Sequence, residues 1–360
     1  MISIYWIWIL FLLFLIPLDN SKYSNKIRKL FINSFLIILM LFVGFRYNSV
    51  DYELYSRIFE SQSFKNFDFP FFSDGLGARE FLFSSLISIF KNLNINYQMF
   101  ILTFTLISIL IKIFYIKKYS PYVVLSLFLY FAFLFSKDMG QFRNATIAAI
   151  LLIAIIHLVK RDFFTYFVII LISSGIHSFS IVAIPLYFIY PFLTKTNISK
   201  FVLIISLFIF IKGGLFSYVY PFVDIFGDTI KDKLTGYYLF REFEQRRFNI
   251  FNLSLLFFAI LFILFKDSFI KKDTFEDGLY VSFIYGLSFY LIFCDISTIG
   301  ARSLNYFSAM PLAILIPVFI NQIKIEKLKY ISYATIVLYC ILLFYPTIKS
   351  MNIYQNYLFH

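Results

Sequence analysis

Apolar residues run along this chain in long blocks separated by short charged breaks. The blocks fall at 1–17, 30–45, 98–116, 121–136, 141–159, 163–175, 178–193, 201–217, 250–265, 278–294, 303–320 and 329–346. About 20 apolar residues wound as a helix cross the hydrocarbon core of a bilayer, and a helix satisfies its own backbone there. The pattern therefore predicts an all-α polytopic integral membrane protein with about 12 transmembrane helices, range 10–13. Two stretches fit this less simply. Residues 80–94 are apolar but short, and read as an interfacial or re-entrant element, with a span as the alternative. Residues 163–193 carry Gly175 near the middle and read as two short helices meeting at Ser173-Ser174-Gly175. The first block lacks a basic leader and a small-residue cleavage site, so it reads as a span and not as a cleavable signal. No repeat or soluble module interrupts the series, and residues 1–360 read as a single transmembrane domain.

Composition sharpens the class. Hydrophobic residues make up 61% and charged residues 14%, where a soluble domain carries about 25% charged. This excludes a cytosolic enzyme, a disordered tail and a secreted disulfide scaffold; Cys294 and Cys340 both sit in apolar blocks. The net charge of +12 does not point to nucleic acid, because no basic stripe with interleaved aromatics stands clear of the apolar blocks. The basic residues gather instead in loops 18–29, 112–120, 160–162, 195–200, 266–277 and 321–329. If 80–94 does not span, all six loops share one side. The positive-inside rule makes that side cytoplasmic and places both termini outside. The outer side then holds two sizeable loops, 46–97 and 213–249. The second is rich in Tyr and Phe and contains Arg241, Arg246 and Arg247, candidate contacts for a glycan; the bland alternative is that its aromatics favour the membrane interface.

On this topology Arg46, Asp51, Arg143, His177 and Arg302 all come near the same outer leaflet. Taken singly, an Arg at a helix end snorkels, a His packs or caps, an Asp is a solvated loop residue, and Tyr52 and Tyr55 are interface anchors. Taken together they describe a site, because ionisable groups at the membrane edge are costly and usually functional. Guanidinium forks bind phosphate bidentately and keep their proton. Arg46, Arg143 and Arg302 are therefore candidate ligands for a lipid carrier's pyrophosphate. A carboxylate or imidazole beside them would deprotonate an attacking hydroxyl. His177 and Asp51 are the two candidates for that base, His177 being favoured because its reference pKa near 6.5 lies closer to working pH than that of Asp, about 3.9, and Tyr52 and Tyr55 are candidate glycan contacts.

The run Arg46-Tyr47-Asn48-Ser49-Val50-Asp51-Tyr52-Glu53-Leu54-Tyr55, with Phe59 after it, resembles the R-Y-x-x-G-x-D-Y-x-x-Y signature of EpsG-type, Wzy-like polysaccharide polymerases. Phe142-Arg143-Asn144-Ala145 is similar to that family's Arg-led helix start. Ser174-Gly175-Ile176-His177-Ser178-Phe179-Ser180 is similar to its His-containing joint, and Ala301-Arg302-Ser303-Leu304-Asn305-Tyr306-Phe307 to its late Arg element. The departures are Ser49-Val50 in place of the first motif's Gly, and Asn144 in place of a Gln. The resemblance implies a bacterial inner-membrane O-antigen or capsule polymerase with a GT-C-like architecture and a periplasm-facing site. It would transfer a growing glycan from undecaprenyl pyrophosphate to a hydroxyl of the next lipid-linked repeat unit, with neither cofactor nor metal. Its expected partners are those lipid-linked units, membrane lipid and a chain-length regulator protein. An O-antigen ligase and a lipid-linked oligosaccharide flippase are the alternatives. The flippase would require charges lining several span interiors, which the sequence presents as nearly free of charge.

Overall fold

Helices carry nearly all the regular structure, as the apolar blocks require. The computed structural model describes residues 4–19, 25–47, 49–61, 80–221, 249–351 and 353–359. In chain order the helices are α1 (Trp6–Leu15), α2 (Asn25–Gly44), α3 (Tyr52–Ser61), α4 (Phe81–Asn92), α5 (Tyr97–Tyr119), α6 (Val123–Phe133), α7 (Phe135–Gly140), α8 (Phe142–Val159), α9 (Phe163–Ile176), α10 (Ile184–Leu193), α11 (Thr196–Lys212), α12 (Phe216–Val219), α13 (Ile250–Phe269), α14 (Phe275–Ile292), α15 (Ser297–Phe307), α16 (Ala309–Asn321) and α17 (Glu326–Ser350). A 3-10 segment, Ser178–Ala183, joins α9 to α10. The all-α expectation has one small exception, an antiparallel pairing of Arg46–Tyr47 with Gln355–Asn356.

Among the described residues five helices are long and apolar enough to cross a membrane: Lys26–Gly44, α5, α8, α13 and α17. The pair α15–α16, bent by 43°, makes a sixth. The other apolar blocks form shorter helices, among them α6, α9 and α4. The protein is therefore a multi-pass membrane protein, and among the described residues its apolar blocks give five or six helices of spanning length and a set of short apolar helices. The reason is rise: 15 residues of helix reach only about 22 Å, against about 30 Å of hydrocarbon.

Burial sorts the helices. Leu125, Leu127, Phe128, Leu129, Tyr130 and Phe131 of α6 are all fully buried, as are most residues of α14 and α16. A helix apolar all round belongs inside the bundle. On α11, α13 and α17 the exposed residues recur at helical spacing, for example Phe201, Ile204, Phe208 and Ile211 on α11, which makes these lipid-facing walls. The helix starts are capped where the sequence supplies an acceptor: Asn96 for α5, Asp162 for α9, Asn249 for α13 and Thr274 for α14. The start of α6 is capped from elsewhere in the chain, since Asp19 accepts from the N–H groups of Val124 and Leu125 at 3.0 Å each and from the Tyr333 hydroxyl at 2.9 Å.

Four expectations change. Lys112, assigned to a loop over 112–120, lies inside α5, which runs on to Tyr119 and turns Lys112 inward. There it pairs with Asp138 of α7 at 2.7 Å, both about fully buried, and Ser108 and Tyr130 each donate to Asp138 at 2.7 Å. With a second buried pair, Lys266–Asp277 at 2.9 Å, the interior is not nearly free of charge; these four charges are paired, while the buried Arg46 is bonded to the Val43 carbonyl and the Thr105 hydroxyl. The break expected at Ser173-Ser174-Gly175 falls instead at His177. The Ser173 and Ser174 hydroxyls bond back to Ile169 and Leu171 carbonyls, so α9 continues to Ile176. Arg302, expected to start a span, lies within α15, whose helix begins earlier at Ser297.

Residues 80–94 form α4, whose 12 residues reach about 18 Å. Gln98 at the start of α5 donates to the carbonyl of Gly44, the last residue of α2, at 2.7 Å. The chain therefore leaves α2 and enters α5 at one and the same end of the bundle, and α4 packs there against α9. Gly175 permits this approach: a Cβ on it would sit 2.8 Å from the Cβ of Leu82.

Candidate functional site

Side chains from well-separated segments meet at the end of the bundle where α2 and α9 finish and α5 and α8 begin. Arg143 is the second residue of α8. Its guanidinium carbon lies 4.6 Å from the ring centres of both Tyr55 and Phe83. Its Nε donates to the Tyr55 hydroxyl at 3.1 Å, and its Nη1 pairs with a carboxylate oxygen of Glu80. The other oxygen of Glu80 accepts from the Ser178 N–H at 3.3 Å. An arginine held between two rings, with its fork directed by a hydroxyl, loses little freedom when it binds an anion.

His177 follows the last residue of α9 and is 5% exposed. Its Nδ1 accepts from the Phe179 N–H at 3.3 Å, so a neutral ring carries its hydrogen on Nε2. Burial, aided by the charges of Arg302 and Arg143, pushes its pKa down to about 3. The imidazole is therefore neutral, and the 3.9 Å separation of Nδ1 from Glu80 is not an ion pair. Tyr306 presents an edge-on contact to the His177 ring, and its hydroxyl donates to Asn144 in the first turn of α8 at 2.8 Å.

Asp51 precedes α3 and is half-buried. Burial raises its carboxyl above the usual range, while Lys137, Arg143 and Arg302 pull the other way. Lys137, in α7, is lowered by burial, with Asp51 opposing and Arg302 adding to the shift. The cluster thus contains three cations (Lys137, Arg143, Arg302), two carboxylates (Asp51, Glu80) and a neutral imidazole. A surplus of fixed positive charge around a dry donor set is what an anionic ligand requires.

The structure brings together Asp51, Arg143, His177 and Arg302. It does not bring Arg46 to them. Arg46 is 1% exposed and donates to the Val43 carbonyl at 2.6 Å and the Thr105 hydroxyl at 3.0 Å, inside the bundle. Tyr55 is turned toward Arg143, while Tyr52 donates to Gln98 at 3.2 Å and also lines a cavity of about 350 Å³ with Tyr47, Glu53, Ser56 and Arg57. Arg241, Arg246 and Arg247 lie outside the described residues. Glu80 and Lys137 escaped the sequence reading. The available signals were a carboxylate opening an apolar block and a lysine in a short connection on the side where positive charge is disfavoured. Among the described residues no three His, Cys, Asp or Glu side chains gather as metal ligands. Two cavities of about 500 Å³ open at the opposite end of the bundle, around Arg28, Asp19 and Tyr333 and around Arg28, Lys29 and Lys117. Volume and the charge cluster do not coincide, and the buried cluster of opposed charges is the stronger mark of a site.

Residues 29–359 match the model of the EpsG family. The amylovoran biosynthesis protein AmsC of Erwinia amylovora is 30% identical over 218 residues, which is 58% of this chain and 56% of that protein. The chain thus spans little more than half the length of that curated relative. No solved structure matches.

Proposed function

Since the chain belongs to the EpsG family, we propose that it is a polysaccharide polymerase that elongates a lipid-linked glycan at the outer face of a bacterial inner membrane. The similarity to an amylovoran biosynthesis protein supports a role in polysaccharide biosynthesis. The observation that carries the chemical part is the meeting of Lys137, Arg143 and Arg302 with Asp51 and a neutral His177.

In this reading the helices alternate in direction through about 12 passes in a GT-C-like bundle, the short ones completed by interfacial aromatics. Arg143, Arg302 and Lys137 hold the donor's diphosphate, and the Nε2–H of His177 donates to a phosphoryl oxygen. The anomeric C–O bond to phosphate breaks and a new anomeric C–O bond to the acceptor sugar's hydroxyl forms. The hydroxyl proton passes to the Asp51 carboxylate, and the lipid diphosphate departs with the bond's electron pair. Asp51 is the better base of the two candidates. Its carboxyl is raised by burial toward working pH, whereas a ring with a pKa of about 3 and an engaged Nδ1 has little appetite for a proton. The cations stabilise the charge that develops on the leaving group, the kind of effect that removal of a single donor typically exposes as about 100-fold or more. A flippase reading is disfavoured because the buried Lys112–Asp138 and Lys266–Asp277 charges are paired with each other.

The test supplies the purified full chain with undecaprenyl-diphosphate-linked repeat units and follows chain length. Arg143→Ala, Arg302→Ala and His177→Ala should each abolish elongation at normal expression. Arg143→Lys and Arg302→Lys should lose most of it, since a point charge cannot replace a bidentate fork. Elongation at the normal rate in all three alanine variants would overturn the assignment.

A further inference from the structure

Glu80 has no place in the reaction just described, yet it occupies the middle of the site. One oxygen takes the Nη1 of Arg143; the other takes the Ser178 N–H at 3.3 Å. It is 15% exposed, on the first residue before α4, and is held close to α9 by the contact of Gly175 with Leu82. The two donors it uses are those a phosphoryl oxygen pair would use: a ring-flanked guanidinium and a backbone N–H at a chain break. Beside them lies the His177 ring, whose Nδ1 is 3.9 Å from Glu80 and accepts from the Phe179 N–H. The geometry points to Glu80 as the resting occupant of the anion slot, an internal carboxylate that the donor diphosphate must displace.

This rests on the reading of the cluster as a diphosphate site and adds a specificity rule to it. Binding becomes an exchange of one anion for another. A carboxylate carries one negative charge over two oxygens; the donor's diphosphate, esterified at both ends, carries two, one on each phosphorus and so spread over a longer span than a single phosphate offers. A ligand that offers only what Glu80 offers gains nothing by replacing it. A diphosphate gains, because it satisfies Arg143 and Ser178 and still reaches His177 and the charge of Arg302. Glu80 therefore biases the site toward the diphosphate-linked donor and against lipid monophosphate or free phosphate. It also keeps Arg143 from being left as an unpaired charge between two rings when the slot is free, a state that is expensive in a low-dielectric setting.

A merely structural Glu80, one that only aims Arg143, predicts the opposite sign on removal. The full chain in detergent micelles is titrated calorimetrically with two probes, methylene diphosphonate and inorganic phosphate, with no acceptor present. Glu80→Gln keeps the shape and an acceptor for Ser178 but drops the charge. It should tighten diphosphonate binding about tenfold, a step of about 1.4 kcal/mol, and phosphate binding by a larger factor, so that the selectivity ratio narrows. Glu80→Asp, shorter by one methylene, keeps the charge but draws it away from Ser178, and should tighten both probes by less. Arg143→Gln should lose binding in either background. Unchanged or weaker diphosphonate binding in whichever Glu80 variant folds, with Arg143-dependent binding intact in the unaltered chain, overturns the role of Glu80 alone. If neither the unaltered chain nor Glu80→Gln binds diphosphonate in an Arg143-dependent way, this inference falls together with the diphosphate reading beneath it.

Discussion

Replacing His177 by Gln isolates the titration of one buried ring. In the folded protein the imidazole holds its proton only below about pH 3, because it is buried and faces Arg302 and Arg143. In the unfolded chain it titrates near 6.5. The folded state therefore binds less proton than the unfolded state throughout that interval. By linkage the contribution of His177 to stability is complete above pH 6.5 and is lost as the pH falls toward 3. Each pH unit in the interval costs about 1.4 kcal/mol, and the full span of the shift amounts to about 5 kcal/mol as an upper bound. Glutamine can accept from the Phe179 N–H as Nδ1 does but does not titrate. The measurement is unfolding of both proteins in mixed micelles at pH 7.5 and 4.5. The carboxylates are common to both, so the informative quantity is the difference between the two proteins' acid losses. The unaltered chain should lose up to about 3 kcal/mol more than His177→Gln over this range. Equal losses would show that the ring is protonated or solvent-accessible in the folded state, and the neutral hydrogen-bond donor described above would have to be abandoned.

Further consequences are open to test. Lys112→Met alone leaves the Asp138 carboxylate without its cation, and Asp138→Leu alone strands Lys112; each should destabilise by about 3–5 kcal/mol, whereas the double replacement should recover most of the loss. A coupling energy near zero in that cycle would mean the two side chains do not pair. Under the proposed function, elongation by the unaltered chain should rise with pH along a limb lying above the ordinary Asp range, because Asp51 must be ionised to take a proton and burial raises its carboxyl. Asp51→Asn should remove the activity, and a profile that stays flat down to pH 4 would exclude Asp51 as the base.

The elements that sequence made legible are those where a polar residue interrupts or bounds an apolar block. Arg143 and His177 sit at helix termini because helices end where the apolar run ends, and Asp51 and Arg302 flank such runs closely enough to reach the same end. Arg46 looks identical by that criterion. What separates it is the inward turn of the segment paired with Gln355–Asn356, a contact between residues some 310 apart that no local pattern encodes. Lys112 was misplaced for a related reason. A lysine near the end of an apolar run reads as a loop boundary, and only the presence of Asp138 on a different helix makes its burial affordable. Glu80 was hidden because its significance comes from two partners, Arg143 and Ser178, that lie 63 and 98 residues away. The apolar blocks are readable, and their length already separates the helices long enough to span from those that fall short, since about 15 residues of helix do not reach across the hydrocarbon core.

Lys137 and Asp138 are adjacent in a six-residue helix, and adjacent residues on a helix diverge by about 100°. One therefore looks toward the ionic centre while the other is bolted to Lys112, Ser108 and Tyr130. Any movement of the α7 backbone at Lys137 would have to pull Asp138 from three anchors at once. This side of the cluster is braced, and under the proposed function a rearrangement that admits and releases successive sugars would fall to the segment led by Glu80, where α4 rests on α9.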